Sequence, residues 1–452
     1  MNETEINFPN EVTESAKKVL EKNWTGSFTK PTANLYPHQW SWDSCFIAIG
    51  YAHYDRRKAM KELDRLFHAQ WKNGMIPHIV FDESELNGHY FPGPDFWKVD
   101  CSPDASKNLK CSGICQPPVH STAVLYIMDQ MDNTNEALDF ANSVFENLVK
   151  WHNYLYKERD PDKEGLAYIR HPWESGQDNS PVWDPVLNNI KLSRNDIPPY
   201  ERKDLSHVDA AERPTDLDYD RYVYLVDLFR KCSYNEEKIR NNGCPFLVQD
   251  VLFNTILCQA TKDLAEIAKR IGKDPRPWQL LAEKTADSIN RKLWDKDKLI
   301  YVDFELTGNK QIHEKVLAGF LPLYAGIPDS SKAEHLFNYL NTHCFCRLDD
   351  SCFAATTFDR SSPEYSSSKY WRGPIWINLN WMLCLGLSKY GYNLYADKIM
   401  ESIIRLPAMS GFYEYFDPDT GKGYGSRDFS WTAALLLDVV YQKGKDKTGY
   451  NN

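Results

Sequence analysis

Hydrophobic residues recur with helical spacing along most of the chain. In the segments 12–20, 59–67 and 137–148 they fall three and four positions apart, which predicts helices with one buried face. The segments 376–387 and 430–440 are apolar on nearly every side, a pattern typical of helices that are buried all round. This alternation predicts an all-α fold of two concentric layers, an inner ring of buried helices and an outer ring of half-buried ones.

Further helices are predicted from the same periodicity and from start and stop signals. Pro277 lies at the first position of one of them, and Gly272 ends the helix before it. These additional helices are expected at 247–271, 277–293, 311–325, 330–342, 374–390, 394–406 and 428–442. Strand patterns are few, and the segments 76–81 and 299–304 are candidates for short strands.

Three long connections rich in polar residues and proline interrupt the helices, at 82–118, 160–218 and 344–373. Loops of this length inside a compact domain are usually functional. No linker, low-complexity tract or repeat divides the chain, so we predict one domain over residues 1–452. The expected architecture is an all-α toroid whose loops crowd over one mouth and cap a site there.

Composition excludes several classes of protein. Hydrophobic residues make up 42% of the chain, which is enough for a sizeable core. No run approaches the roughly 18 consecutive apolar residues of a membrane span. The net charge of −10 disfavours a nucleic-acid partner, because the binding of phosphates requires a basic face.

Eleven cysteines are scattered along the chain, and the acidic, polar N-terminus lacks the pattern of an export signal. We therefore expect reduced thiols and a cytoplasmic location. The close pairs Cys111/Cys115 and Cys344/Cys346 have no second pair at zinc-site spacing, so the sequence predicts no metal site.

The aromatic content is unusual, with 14 Trp, 26 Tyr and 21 Phe, many of them beside Asp, Arg, Gln and Pro. A large aromatic core would explain the number, but the polar neighbours favour a polar cleft. Asp178 lies between Trp173 and Trp183, and Glu414 lies within Phe-Tyr-Glu-Tyr-Phe. Aromatic surroundings raise the pKa of a carboxyl group. Two such carboxyls facing each other across a glycosidic bond could act as acid and base.

Each carboxylate also has an ordinary explanation. The Gly-Gln-Asp-Asn-Ser-Pro context of Asp178 is compatible with a turn or a helix cap. Glu414 fits a strand residue that faces water. Local sequence leaves both alternatives open.

A second group of candidates lies at predicted helix starts and in the long loops, which one rim of a helical barrel would bring together. Asp43 could hold two sugar hydroxyls, although a helix cap explains it as well. Arg213 could pair with an anionic substrate group, although an internal salt bridge is the commoner role. The other candidates for substrate binding are Tyr36, Trp40, Trp42, Tyr90, Gln116, Trp173, Tyr219, Tyr370, Trp371 and Trp376.

Motifs of other chemistries are missing from the sequence. It contains no glycine-rich phosphate loop, no His-Glu-x-x-His motif and no nucleophile elbow. The twelve histidines form no cluster with metal-ligand spacing. We expect His38, His78 and His120 to be hydrogen-bonded structural residues.

Seven blocks form an ordered and specific pattern, at 35–43, 70–81, 90–94, 116–120, 173–181, 370–376 and 430–434. This pattern resembles glycoside hydrolase family 63, and within it the glucosylglycerate and mannosylglycerate hydrolases. The resemblance runs from about residue 35 to residue 440. It implies an (α/α)6 barrel that hydrolyses a small α-glycoside with inversion, 2-O-α-glucosylglycerate or mannosylglycerate above all.

The resemblance also assigns roles to residues. It implies Asp178 as the general acid and Glu414 as the general base of a single displacement by water, which needs no cofactor. The sugar would bind against Tyr36, Trp42, Asp43, Gln116, Trp173, Trp371 and Trp376. The glycerate would face Arg213, Tyr219, Tyr90 and Tyr36. The partner is then a small glycoside, and a monomer and a homo-oligomer fit equally well.

One position departs from this pattern. Close members of the family carry a glutamine directly before the Ser-Trp-Thr-Ala-Ala block, where this chain has Phe429. A phenyl ring cannot donate a hydrogen bond to a carboxylate, so Arg213 or Arg427 would have to hold the glycerate. Glycerate glycosides remain the leading hypothesis. The alternatives are a neutral α-glucoside substrate, a catalytically silent sugar-binding barrel, and a sugar epimerase or lyase.

Overall fold

The helices alternate along the chain between an outer and an inner ring. The computed structural model describes residues 3–86, 88, 90–131, 134–206 and 208–447. The inner helices are Ser41–Ala52, His120–Gln130, Val251–Arg270, the 3-10 helix Leu317–Leu323, Ile377–Lys389 and Ser430–Lys447. The outer helices are Glu3–Asn23, Arg56–His68, Asn135–Glu158, Arg276–Ser288, Ser330–Leu340 and Asn393–Ser410. Each inner helix packs on the next and the last packs on the first, which confirms the expected (α/α)6 barrel.

The burial of each helix follows its hydrophobic pattern. All twelve residues of the inner helix Ser41–Ala52 are buried, whereas the outer helix Arg56–His68 buries one stripe only. Asp55 caps that outer helix by accepting a hydrogen bond from the Lys58 backbone N–H, an interaction worth about 1 kcal/mol. Gly50 allows a close approach of two inner helices, since a Cβ there would lie 2.5 Å from the Ala434 backbone.

All six inner helices run in the same direction, because each follows an outer helix, and their amino-terminal ends meet at one mouth of the barrel. The connections that lead into them are mostly long, at 24–40, 69–119, 159–250, 289–316, 341–376 and 411–429. The connections at the opposite end have at most six residues, at 53–55, 131–134, 271–275, 324–329 and 390–392. The three long loops predicted from the sequence therefore belong to the mouth where the inner helices begin.

The long connections contain short elements of their own. The strands are Gln39–Trp40, Ile79–Val80, Val248–Gln249, Trp294–Asp295, Ile300–Tyr301, Asp303–Glu305, Lys310–Ile312, Tyr413–Phe416 and Gly423–Arg427. All pair antiparallel, in three two-stranded sheets and one three-stranded sheet within the described residues. The short helices are Glu83–Glu85, Pro94–Trp97, Val99–Cys101, Pro172–Ser175, Pro181–Trp183, Asp184–Leu187, Arg194–Asp196, Asp204–Ser206, Ala210–Glu212, Glu236–Asn241 and Ile289–Leu293. One longer helix, Asp216–Lys231, lies in the connection 159–250.

Two expectations about secondary structure need correction. The segment 311–325 is not one helix, because strand Lys310–Ile312 comes first and only Leu317–Leu323 is helical, in 3-10 form with Pro322 inside it. The strand expected at 299–304 is interrupted at Val302 and continues as Asp303–Glu305 in another sheet.

The cysteines correct a further expectation. Cys346 and Cys352 form a disulfide, so the expectation of reduced thiols is wrong for this pair. The other nine cysteines are free, and seven of them are buried. None of the helices in the described ranges is long and apolar enough to cross a membrane.

Candidate active site

A cavity opens at the mouth where the inner helices begin, and its empty space together with the solvent at its entrance is about 890 Å³. The structure brings all fourteen residues singled out in the sequence to its wall, from five of the six connections that lead into inner helices and from the first turn of helix Ser41–Ala52. The sequence reasoning missed other lining residues, among them His78, Gly176, Lys203, Asp204 and Trp431, and it noted Phe429 only as a departure.

Asp178 lies just after the short helix Pro172–Ser175 and is half-buried at the cavity wall. The Tyr222 hydroxyl holds its backbone carbonyl at 2.9 Å, and the Tyr370 hydroxyl donates to its Oδ2 at 3.4 Å. Burial raises the pKa of Asp178 to about 6, against the opposing effects of Arg213 and Tyr370. A carboxyl group with this pKa can carry a proton close to neutral pH.

Glu414 lies on strand Tyr413–Phe416, in the connection that leads into the last inner helix, and is only 2% exposed. Its Oε1 accepts a hydrogen bond from the Tyr36 hydroxyl at 3.0 Å, and its Oε2 accepts one from the Ser426 backbone N–H at 3.2 Å. Burial raises the pKa of Glu414 to about 7, while Arg213 and these two hydrogen bonds lower it and Asp178 raises it further.

Two tyrosine hydroxyls connect the carboxyl groups. Tyr36 contacts Glu414 at 3.0 Å, Tyr370 contacts Asp178 at 3.4 Å, and the two hydroxyls lie 3.4 Å apart. The nearest carboxyl oxygens are therefore at most about 10 Å apart. This upper bound is compatible with the separation of roughly 6.5–9.5 Å in inverting glycosidases and with that of roughly 5–5.5 Å in retaining ones.

Arg213 supplies a buried cation beside these groups. Its Nη1 donates to the Tyr36 hydroxyl at 3.1 Å, its Nε donates to Asp204 at 3.2 Å, and its guanidinium lies 4.4 Å from the centre of the Tyr370 ring. Asp204 is also bound by Arg202 at 2.8 Å, so the loop that carries Arg213 is held by ion pairs. The internal salt bridge considered from the sequence exists, and Arg213 still faces the cavity.

Tryptophans form the apolar walls. The rings of Trp371 and Trp376 stack with centroids 3.5 Å apart, and Trp431 packs edge-on against Trp42 at 5.4 Å. Gly176 lies against the Trp42 ring with a φ of +73°, and a Cβ there would meet ring carbons at 2.5 Å. Only glycine combines this conformation with this contact.

Polar residues face the same walls. Asp43 lies in the first turn of the inner helix Ser41–Ala52, and burial, reinforced by the charge of Glu414, raises its pKa well above the usual range. The Trp42 backbone N–H donates to the Gln116 Oε1 at 3.3 Å, which orients that amide. Asp43 and the oriented amide of Gln116 are therefore suited to hydrogen bonds with sugar hydroxyls.

The three histidines expected to be structural are hydrogen-bonded. His38 accepts from the Asp82 backbone N–H at 3.2 Å, His78 bonds to the Ser112 hydroxyl, and His120 bonds to the Ser41 hydroxyl. His78 also lines the cavity, which the sequence did not indicate. Among the residues whose positions are described, no three His, Cys, Asp or Glu side chains are arranged to hold a metal ion.

Two carboxyl groups between aromatic walls, at the mouth of a helical toroid, are the arrangement expected of a glycoside hydrolase. Comparison with known proteins makes the class more specific. Residues 36–432 match the mannosylglycerate hydrolase MGH1-like glycoside hydrolase domain, and the chain belongs to this family.

Relatives with curated names cover nearly the whole chain. The chain is 49% identical to a mannosylglycerate hydrolase of Rubrobacter radiotolerans, over 94% of this chain and 96% of the relative. It is 34% identical to a glucosylglycerate hydrolase of Mycolicibacterium hassiacum, over 95% of this chain and 98% of the relative. A crystal structure of a mannosylglycerate hydrolase from Thermus thermophilus, of glycoside hydrolase family 63, contains Tris and D-glycerate. It is 40% identical to the chain and matches it with a TM-score of 0.87, over 94% of this chain and 99% of that one.

Proposed function

We propose that the protein hydrolyses a small α-glycoside of glycerate, mannosylglycerate or glucosylglycerate, with inversion at the anomeric carbon. The observation that carries this proposal is the pair Asp178 and Glu414, which face one aromatic cavity beside the buried cation Arg213. The names of the two relatives and the D-glycerate in the Thermus thermophilus structure support an anionic aglycone.

Asp178 and Glu414 have complementary roles in the proposed displacement. Asp178 donates its proton to the glycosidic oxygen as the bond between that oxygen and the anomeric carbon breaks. Glu414, ionised, accepts a proton from the water that attacks the opposite face of the sugar. Each proton transfer contributes about 10²–10⁴-fold to the rate.

The rest of the cavity would divide into two subsites. The sugar lies against the tryptophan walls, and Asp43 and Gln116 bind its hydroxyl groups. The glycerate carboxylate pairs with Arg213, because a guanidinium matches the geometry of a carboxylate. The residues of the sugar subsite would be Tyr36, Trp42, Asp43, Gln116, Trp173, Trp371 and Trp376. Trp40 and Tyr370 complete the substrate-binding wall. Tyr36, Tyr90 and Tyr219 join Arg213 around the glycerate.

Phe429 favours a second candidate, an exo-acting glycosidase on a neutral α-glucoside. Its ring lines the cavity, is 2% exposed, and packs edge-on against Tyr36 at 6.0 Å. It adds an apolar wall next to a residue assigned to the glycerate. A neutral aglycone would suit this wall, whereas Arg213 suits an anionic one.

The substrate is tested by incubating the purified protein with mannosylglycerate, glucosylglycerate and a panel of α-linked glucose disaccharides, and by quantifying the released sugar. We expect release from the glycerate glycosides. Release from the disaccharides alone would favour the neutral substrate, and no release from any compound would contradict the proposal.

The roles of the carboxyls are tested with Asp178→Asn and Glu414→Gln on two kinds of substrate. A glycosyl fluoride needs no protonation of its leaving group. The activity of Asp178→Asn on the glycerate glycoside should therefore fall by about 10²-fold or more, while most of its activity on the fluoride remains. Glu414→Gln should lose both activities, because both need an activated water. Equal losses on both substrates for Asp178→Asn would contradict its role as the acid.

We also propose that the protein is located in the cytoplasm. It acts there on a small glycoside, as a monomer or as a homo-oligomer. The nine free cysteines support a reducing compartment, although the Cys346–Cys352 disulfide does not. Fractionation of cells that produce the protein, followed by activity measurement, tests the location.

A further inference from the structure

Four charged side chains lie buried behind the sugar subsite. Arg159, Arg170 and Glu174 are fully buried and Glu236 is 3% exposed, so two cations and two anions balance each other away from water. Glu174 directly follows Trp173 in the short helix Pro172–Ser175, which precedes Asp178. The displacement described above gives none of these four charges a role.

Glu174 gathers donors from three separate parts of the chain. Arg159 binds it with two hydrogen bonds, Nη2 to Oε1 at 2.7 Å and Nη1 to Oε2 at 2.8 Å. The Arg170 backbone N–H donates to Oε2 at 2.8 Å, and the Cys115 backbone N–H donates to Oε1 at 3.2 Å. Burial alone would raise the pKa of Glu174, but the two arginines and these hydrogen bonds lower it to about 2, so the group is ionised.

The segments joined in this way carry cavity residues on both sides of the subsite. Cys115 precedes Gln116, whose amide oxygen in turn holds the Trp42 backbone N–H at 3.3 Å. Glu174 lies between Trp173 and Gly176, which packs against the Trp42 ring. A displacement of one of these segments would move its sugar-binding group relative to the others.

We propose that Glu174 is a positioning residue that fixes the sugar subsite, by holding the loop of Trp173 and Asp178 in register with the Gln116 segment. It acts through backbone N–H groups and does not line the cavity itself. The inference rests on the proposed function for the identity of the sugar, but the fixed geometry applies to any sugar bound there.

Glu236 provides a matched control within the same cluster. It pairs with Arg159 at 2.9 Å and with Arg170 at 3.2 Å, and it accepts hydrogen bonds from the hydroxyls of Tyr154 and Tyr168. These partners are all side chains, whereas Glu174 also accepts hydrogen bonds from the backbone N–H groups of Arg170 and Cys115. Glu236→Gln therefore removes the same charge from the same buried cluster without releasing a cavity segment.

The test compares Glu174→Gln with Glu236→Gln in three measurements: thermal midpoint, steady-state kinetics, and affinity for free mannose and glucose from tryptophan fluorescence. Both variants should lower the midpoint. Only Glu174→Gln should weaken sugar binding, by about tenfold, and lower kcat/KM by about 10²-fold, because a shift of about 1 Å in a site can cost that much. Glu236→Gln should stay within about threefold of the wild type in both.

If both variants lower the thermal midpoint equally and neither changes the affinity for sugar, the inference is wrong and Glu174 is a purely structural residue. If Glu174→Gln does not fold, Glu174→Asp keeps the charge but withdraws the carboxylate by one methylene, and the same loss of sugar affinity is expected. The sugar titration needs no turnover. A wild type that binds sugar without cleaving glycerate glycosides would thus count against the proposed function and leave this test intact.

Discussion

Replacing Arg213 by methionine removes the buried cation that is proposed to pair with the glycerate carboxylate. The guanidinium contacts Tyr36 at 3.1 Å and Asp204 at 3.2 Å and is 6% exposed. A hydrogen bond to a charged group contributes about 1.5–3 kcal/mol, and more when its partner is left buried. Loss of one such bond to the glycerate carboxylate corresponds to a fall of about 10- to 150-fold in kcat/KM.

The same substitution should change the pH dependence. Arg213 lowers the pKa of both Asp178 and Glu414, so its removal raises both. The acidic limb of kcat/KM follows ionisation of the base, and the basic limb follows loss of the proton from the acid. Both limbs should therefore move to higher pH in Arg213→Met.

Burial raises the pKa of Asp178 to about 6 and that of Glu414 to about 7, so both groups titrate near neutral pH. The proposed roles require the proton on Asp178 and the charge on Glu414. An anionic aglycone beside Asp178 would favour the protonated form of Asp178 through its own negative charge. The substrate would thus assist in protonating the acid.

The assay measures kcat/KM from about pH 4 to about pH 9, a window that brackets both groups, on a glycerate glycoside and on the methyl α-glycoside of the same sugar. Arg213→Met should lose activity mainly on the glycerate glycoside. Arg213→Lys keeps the charge but not the fork of donors, so its pH limbs should stay in place while its kcat/KM falls. Equal losses on both substrates, or limbs that move to lower pH, would refute the reasoning.

Three further predictions follow from single contacts. Gly176→Ala should lower both the thermal midpoint and kcat/KM by more than Gly26→Ala, because both positions have positive φ but only the first would press a Cβ on Trp42; equal effects would mean that backbone strain alone matters. Phe429→Gln should raise the preference for a glycerate glycoside over a methyl glycoside, measured as a ratio of kcat/KM, since the amide can donate to a carboxylate; an unchanged ratio would remove Phe429 from the aglycone subsite. Burial raises the pKa of Glu62 from 4.5 to about 8, so the folded state binds more protons and stability falls as pH rises through that window. Urea unfolding at about pH 5 and about pH 8 measures the free energy of unfolding of Glu62→Gln and of the wild type. Relative to the wild type, this free energy should rise for the variant by up to about 4 kcal/mol between the two pH values, and a difference that does not change with pH would contradict this.

The barrel could be predicted because helical periodicity and burial report on the same physical property. A helix with one apolar stripe is predicted to lie in the outer ring, and a helix that is apolar on nearly all sides is predicted to lie in the inner ring. The segment 311–325 was predicted wrongly, since its apolar run looks helical. There Gly319 approaches the Tyr301 carbonyl, with a Cβ position 2.5 Å away, and Pro322 follows. Such tertiary contacts leave no periodic signal.

The cavity residues could be predicted because the segments that precede the inner helices all meet at one mouth of the barrel. Trp431 was missed because it lies one residue inside an apolar helix, where it looks like core. Lys203 and Asp204 were missed because a polar loop gives no sign of which residues turn inward. The disulfide between Cys346 and Cys352 depends on the local path of the chain, which the spacing alone does not determine.

The most direct test of the central claim is the anomer of the sugar released first. Proton NMR spectra recorded during the first minutes of hydrolysis of α-mannosylglycerate or α-glucosylglycerate, before mutarotation, identify it. Asp178 as acid and Glu414 as base of a single displacement predict that the β-anomer appears first. Initial release of the α-anomer would contradict the account, since it would require a covalent intermediate and a second displacement.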